Sequence, residues 1–99
     1  MSSKFIFNPH LGTIDRVFQN GNIRKNVGTP DGGGYMQITI LHKRYMAHRL
    51  MWNHMHGEIP EGLEVDHING KKTDNRIENL RLVTHKQNQE NWRQAPVTN

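Results

Sequence analysis

The spacing of apolar positions changes partway along the chain. From Tyr35 to Leu41, the apolar Met36, Ile38 and Ile40 alternate with Gln37 and Thr39, the period of a strand buried on one face. A hairpin partner is expected to begin at Lys43 or Arg44. From about Met46 the repeat lengthens, and Ala47, Leu50, Met51 and Met55 recur at three- and four-residue spacing, the stripe of an amphipathic helix. Gly57 stands where a C-cap glycine belongs. Upstream, Phe5 to Phe7, Thr13 to Phe18 and Ile23 to Val27 read as short strands, separated by the turn signals Pro9-His10-Leu11-Gly12 and Asn20-Gly21. Thr29 to Gly34 is glycine-rich and predicts a loop.

The second half repeats the strand pattern with a different connection. Leu63 to Ile68 is the next predicted strand, and Leu80 to Val83 the one after it. Between them "NGKKTDNRIEN", residues 69–79, is too hydrophilic for core. Thr84 and Gln87 then form the T-x-x-Q version of a capping box, opening a helix expected to run to about Arg93. The order is strand, loop, strand, helix.

Composition narrows the class. Ninety-nine residues suit one small domain, or two subdomains sharing a core. Hydrophobic content of 33% and a mean hydropathy of -0.85 are low, yet two Trp, two Tyr, three Phe and five Met suffice for a compact interior. With no cysteine, disulfide scaffolds and thiolate zinc sites are excluded. No apolar run approaches the roughly 20 residues that cross a bilayer. The opening "MSSKFIFNPH" lacks the features of a signal peptide. A cytoplasmic location without membrane contact is therefore expected.

Charge changes the picture further. The net charge of +4 favours a polyanionic partner. Residues 1–57 carry seven basic and two acidic side chains, whereas 58–99 carry six and seven. The first part has the balance of a phosphate-facing surface, and the second concentrates carboxylates. Candidate phosphate contacts are Arg24, Lys25, Lys43, Arg44, Lys71, Lys72, Arg76 and Arg93.

Candidate chemistry centres on "EVDHING", residues 64–70, where Asp66 and His67 lie between Val65 and Ile68, just ahead of an Asn-Gly turn. Val65 and Ile68 are expected to be buried anchors that fix the backbone. Taken alone, the Asp-His pair fits a hydrogen-bonded turn as well as a reactive centre. Asn79 enters the following strand, and Asn88 falls in the first turn of the capped helix.

In "GYMQITILHKRYMAHRLMW", "GEIPEGLEVDHINGKKTDNRIENLRLVT", "NQEN" and the opening "FNPHLGTIDR", the sequence resembles the HNH endonucleases of the ββα-metal fold, in particular the phage and group I intron homing enzymes. The resemblance implies a DNA partner and hydrolysis of DNA phosphodiester bonds by a homing or nicking enzyme. It implies that His67 is the general base, that Asp66 binds a divalent metal, and that Asn79 bonds across the loop and holds the two strands in register. Asn88 takes the third position, where many relatives have histidine, making an H-N-N variant. The oxygens of Asp66 and Asn88 are hard ligands suited to Mg²⁺ or Mn²⁺. An imidazole with an ordinary pKa of about 6.5 can take a proton from the attacking water.

The expected fold is a single α+β domain. An N-terminal antiparallel β-hairpin or sheet plus helix (1–57, the expected DNA-binding part) is followed by a ββα-metal module (58–99). Because the sequence ends at "RQAPVTN", recognition is expected to come from the basic first part or from a second copy, as monomer or homodimer. The same scaffold also suits a non-catalytic DNA-binding protein whose metal only holds the fold. Arg76, Arg81 and Arg93 are all candidates for steadying the transition state. His48, in "HRL", reads as structural or phosphate-positioning, and Trp52 and Trp92 as core.

Overall fold

The computed structural model describes residues 4–87. β1 (Lys4–Asn8), β2 (Thr13–Val17) and β3 (Ile23–Arg24) form one antiparallel sheet in that order. β4 (Thr29–Pro30), β5 (Met36–Ile40) and β6 (Lys43–Met46) form a second. The chain then enters α1 (Ala47–His56). It closes with the ribbon of β7 (Leu63–His67) and β8 (Leu80–Thr84), preceded by a 3-10 turn at Ile77–Asn79. Residues 85–87 are helical. The α+β class, the 36–40 strand and the helix stand as the periodicity predicts. Gly57 ends α1 with a φ of 91°, a conformation that favours glycine, and its N–H donates to the Asn53 carbonyl.

Three segments differ from expectation. The Ile23 to Val27 stretch pairs only over Ile23–Arg24. Inside the predicted 29–34 loop, Thr29 and Pro30 pair with Gln37 and Met36; a proline is tolerated there because β4 is an edge strand. The Leu63 strand stops at His67, leaving Ile68 in the turn and 52% exposed. Of the two anchors, only Val65 is buried. Ile68 contributes through its backbone, whose N–H donates to the Asn79 carbonyl.

Ile14, Ile38, Ala47, Met51, Val65 and Leu80 make one buried cluster. Its members come from both sheets, the helix and the ribbon, so the described parts of 1–57 and 58–99 share a single core. Met51 lies at the centre, fully enclosed, and truncating such a side chain to alanine costs about 2–5 kcal/mol.

A second junction ties the β1–β2 turn to the ribbon loop. Ile77 donates its N–H to the Pro9 carbonyl at 2.8 Å. Gly12, at φ 75°, lies so near the backbone of Asn75 and Arg76 that a Cβ there would collide with both. No helix among the described residues is long and apolar enough to cross a membrane.

Candidate active site

Register determines where the two adjacent candidate side chains point. In the β7–β8 ribbon, Asp66 pairs with Arg81 and His67 with Leu80. Because successive strand residues face opposite ways, Asp66 shares a face with Arg81, and His67 shares the other with Val65. Arg81 donates from Nε and Nη2 to Asp66 Oδ2, at 3.1 and 3.0 Å. A guanidinium fork of this kind orients a carboxylate with less loss of freedom than a lysine would. Both of these bonds fall on Oδ2.

His67 is 7% exposed. Its Nε2 lies 2.7 Å from Asn75 Oδ1. A carbonyl oxygen only accepts, so Nε2 carries the ring proton and Nδ1 keeps its lone pair. Among the described residues, His48 Nδ1 is the buried side-chain nitrogen or oxygen without a hydrogen-bond partner. His67 Nδ1 bonds nothing among the described residues either, and it is not one of their buried unpartnered atoms. The nitrogen left with its lone pair is thus the one that Asn75 does not hold.

Two aromatic rings meet that histidine. His48, also 7% exposed, packs edge-on against His67 with centroids 4.9 Å apart, and Tyr35 lies 5.4 Å from His48 and 6.0 Å from His67. Burial, and then the neighbouring His67, push His48 down to about 4. It is neutral at pH 7. Lys72 sits 4.8 Å from the Tyr35 ring centre and donates to the Gly33 carbonyl at 2.7 Å, closing the loop over the cluster.

The 68–79 connection has almost no apolar content, and asparagines and the ion pairs of Arg76 hold it together. Asn79 is buried. Its Oδ1 accepts the Asn69 N–H at 3.0 Å, while Nδ2 donates to Asn69 Oδ1 and to the Asp74 carbonyl, both at 2.9 Å. Its side chain thus spans the loop between Asn69 and Asp74. Asp74 accepts from Asn69 Nδ2 at 2.8 Å and takes Arg76 Nε and Nη2 at 2.8 and 2.9 Å. The hydrogen bond from Arg76 holds its carboxyl well below the ordinary carboxylate range.

Past β8, the capping box forms reciprocally. The Thr84 N–H donates to Gln87 Oε1 at 2.9 Å, and the Gln87 N–H to Thr84 Oγ1 at 3.1 Å. His85 Nδ1 meets Glu64 Oε2 at 2.8 Å, pinning the helix start to β7. Asn88, Trp92 and Arg93 lie outside the described residues.

The predicted phosphate contacts are scattered. Arg24, Lys43, Arg44 and Lys71 are exposed on β3, β6 and the ribbon loop, and Lys25 is exposed with Nζ 3.5 Å from Asp15. Lys72 and Arg76 are partly buried and engaged in the loop contacts already given. His48 and Asn75 had no part in the predicted site. His48 carried a signal, being three residues from Met51 on the buried side of α1. Asn75 carried none beyond its place in a polar run.

The donor set bears on metal binding. Among the described residues, no three His, Asp or Glu side chains gather into a metal site. What they offer is one carboxylate, Asp66, oriented by Arg81. That fits a hard divalent cation completing its shell with an amide, phosphate oxygens and water, and not a multi-histidine zinc site.

A ribbon ending in aspartate and histidine, a loop pinned by asparagine and a capped helix start together define a ββα module. Residues 45–90 match the family model described as HNH endonuclease. That match places this stretch of the chain in the HNH endonuclease family. It is 39% identical over 70 residues to the SPbeta prophage-derived protein of Bacillus subtilis (strain 168) named as HNH homing endonuclease YosQ, covering 66% of this chain and 39% of that one. It is 47% identical over 62 residues to DNA endonuclease I-HmuI of Bacillus phage SP01, covering 59% and 36%. Protein 3.8 of Escherichia phage T7 is 35% identical over 59 residues, covering 60% and 48%. A solved structure titled for DNA binding and cleavage by the HNH homing endonuclease I-HmuI superposes with a TM-score of 0.67 at 30% identity, over 91% of this chain and 52% of that one. The chain thus spans less than half the length of the curated relatives it matches.

Proposed function

We propose that this chain is a metal-dependent DNA endonuclease that hydrolyses phosphodiester bonds, a nicking or homing-type enzyme of phage character. The observation that carries the reading is the state of His67, with Nε2 fixed by Asn75, Nδ1 open, and the Arg81-oriented Asp66 next to it in the chain. The relatives' names and the I-HmuI complex title support DNA as the substrate.

In this reading His67 Nδ1 takes a proton from water as the water oxygen attacks phosphorus and the bond to the 3′ oxygen breaks. Asn75 holds the ring in the tautomer that leaves Nδ1 basic. Asp66, together with Asn88, would hold Mg²⁺ or Mn²⁺. When bound, such an ion stabilises the charge growing on the phosphate and on the departing oxygen. Arg81 sets the direction of the Asp66 carboxylate, and Asn79 keeps the ribbon ends together. Phosphate backbone contacts come from the exposed Arg24, Lys25, Lys43, Arg44 and Lys71, with Lys72, Arg76 and Arg93 as further contacts.

Nicking of supercoiled plasmid, with Mg²⁺ and with chelator, tests the reading. Cleavage is expected only with the metal. His67→Ala is expected to cut about 10²- to 10⁴-fold more slowly while still binding DNA. DNA binding without cleavage in any divalent metal would instead establish a non-catalytic DNA-binding protein. For the cationic surface, charge reversal at Lys43 and Arg44 is expected to flatten the salt dependence of binding by about one unit of slope per phosphate lost.

A further inference from the structure

His48 is enclosed, its Nδ1 meets no partner, and it lies directly against the ring read as the general base. An apolar ring would pack there without stranding a nitrogen, so packing alone does not account for an imidazole. The other nitrogen supplies the reason. Nε2 also bonds nothing among the described residues, and unlike Nδ1 it is not one of their buried unpartnered atoms, so we take it as the nitrogen that faces outward.

This fixes the tautomer. A stranded N–H is worse tolerated in a protein interior than a stranded acceptor, so the proton sits on the nitrogen that can reach a partner. His48 therefore shows an Nε2–H donor to the outside and buries the Nδ1 lone pair. The groups near it are His67, Arg49, Asp31 and Tyr35, and burial dominates over all of them in keeping it uncharged. A neutral donor beside His67 does not oppose the positive charge that His67 gains on taking a proton.

We propose that His48 is a further catalytic residue, donating an Nε2–H hydrogen bond to a non-bridging oxygen of the phosphodiester whose attacking water His67 deprotonates. With ring centroids 4.9 Å apart, an acceptor on one ring and a donor on the other are close enough to serve a single phosphate and its water in this proposal. The inference rests on the endonuclease reading and extends it to a residue of α1, outside the ββα ribbon.

The test uses the full chain with Mg²⁺ and supercoiled plasmid, comparing wild type with His48→Phe and His48→Gln. The Phe variant keeps ring volume without a donor and is expected to melt no lower than wild type, with kcat down about 10- to 100-fold and little change in KM. His48→Gln, which restores an N–H, is expected to recover part of the loss. Imidazole ¹⁵N spectra of the wild type are expected to show His48 as the Nε2–H tautomer, a readout needing neither activity nor a variant that folds. Wild-type rates in His48→Phe, or an Nδ1–H tautomer, would overturn the proposal while leaving the endonuclease reading intact. A wild type that does not cleave removes both.

Discussion

The β5–β6 and β7–β8 ribbons are almost equal in length and are held by opposite means. β5 and β6 pair over four positions and turn through two residues, Leu41 and His42, at φ 50° and 68°. Leu41 is 78% exposed. Here the strands impose the turn, since Ile38 is anchored in the core and the connection contributes nothing to burial. β7 and β8 pair over five positions, and the connection between them is a structure in its own right, bonded through Asn69, Asp74, Arg76 and Asn79. The long loop spends its polar groups on fixing Asn75, and through Asn75 the tautomer of His67. A ribbon that merely joins elements needs a turn, whereas one that orients a reactive ring needs a scaffold beneath it.

That scaffold leans on the first half of the chain, and Gly12 is the place to break it. A side chain there meets the Asn75 and Arg76 backbone and must also adopt a left-handed conformation. Gly12→Ala is expected to lose about 3 kcal/mol or more, from roughly 1–2 for the backbone and 1–3 for overpacking. Thermal unfolding gives the number. A loss confined to the β1–β2 hairpin in hydrogen exchange, with the 68–79 loop unchanged, would show the two regions to be independent.

Asn79→Ala sharpens the same comparison from inside the loop. It removes three hydrogen bonds, two of whose partners lie on exposed Asn69 and can turn to water. The expected loss is about 2–3 kcal/mol, read from the urea midpoint at unchanged slope. No comparable loss is expected from any polar substitution in the β5–β6 turn.

Acid separates the two regions next. His48, beside the first ribbon, is neutral when folded and takes a proton readily only when unfolded. Its contribution is complete above about pH 6.5 and is lost as pH falls toward about 4. Asp74, in the second ribbon's loop, is depressed by Arg76, and Asp15 is lowered chiefly by the Asn26 N–H. Their contributions persist to lower pH and decline only below the ordinary carboxylate value of 3.8. Melting temperature against pH should therefore fall in two stages. His48→Phe is expected to remove the upper stage and Asp74→Asn to shrink the lower.

The same contrast decides what could be read from sequence. β5, α1, the Gly57 cap and the Thr84–Gln87 box are legible because each depends on neighbours within a few residues. Asp66, His67 and Asn79 stand out because a strand pattern and a turn signal frame them. Asn75 does not, since its role depends on the path of a loop whose members all have similar composition. Ile68 was misplaced because hydrophobicity says nothing about where a strand stops, and that point is set by the Asn79 bonds. Thr29–Pro30 pairs with β5 despite its composition because Met36 and Gln37 present an edge to it.

The smallest effect expected comes from the turn that orients nothing. Two consecutive left-handed residues suit Asn-Gly, and leucine there carries roughly 1 kcal/mol of backbone strain. Replacing Leu41-His42 with Asn-Gly relieves that strain, and glycine's greater freedom in the unfolded chain takes part of it back. A net gain of about 0.5–1 kcal/mol is expected in the unfolding midpoint. Cleavage by the double variant separates two roles for the turn. Unchanged rates fit a connection that only joins strands. A rate loss in a more stable protein would mean that the exposed Leu41-His42 tip, next to the cationic Lys43 and Arg44, meets the substrate, and the contrast between the ribbons would then be one of chemistry on both sides.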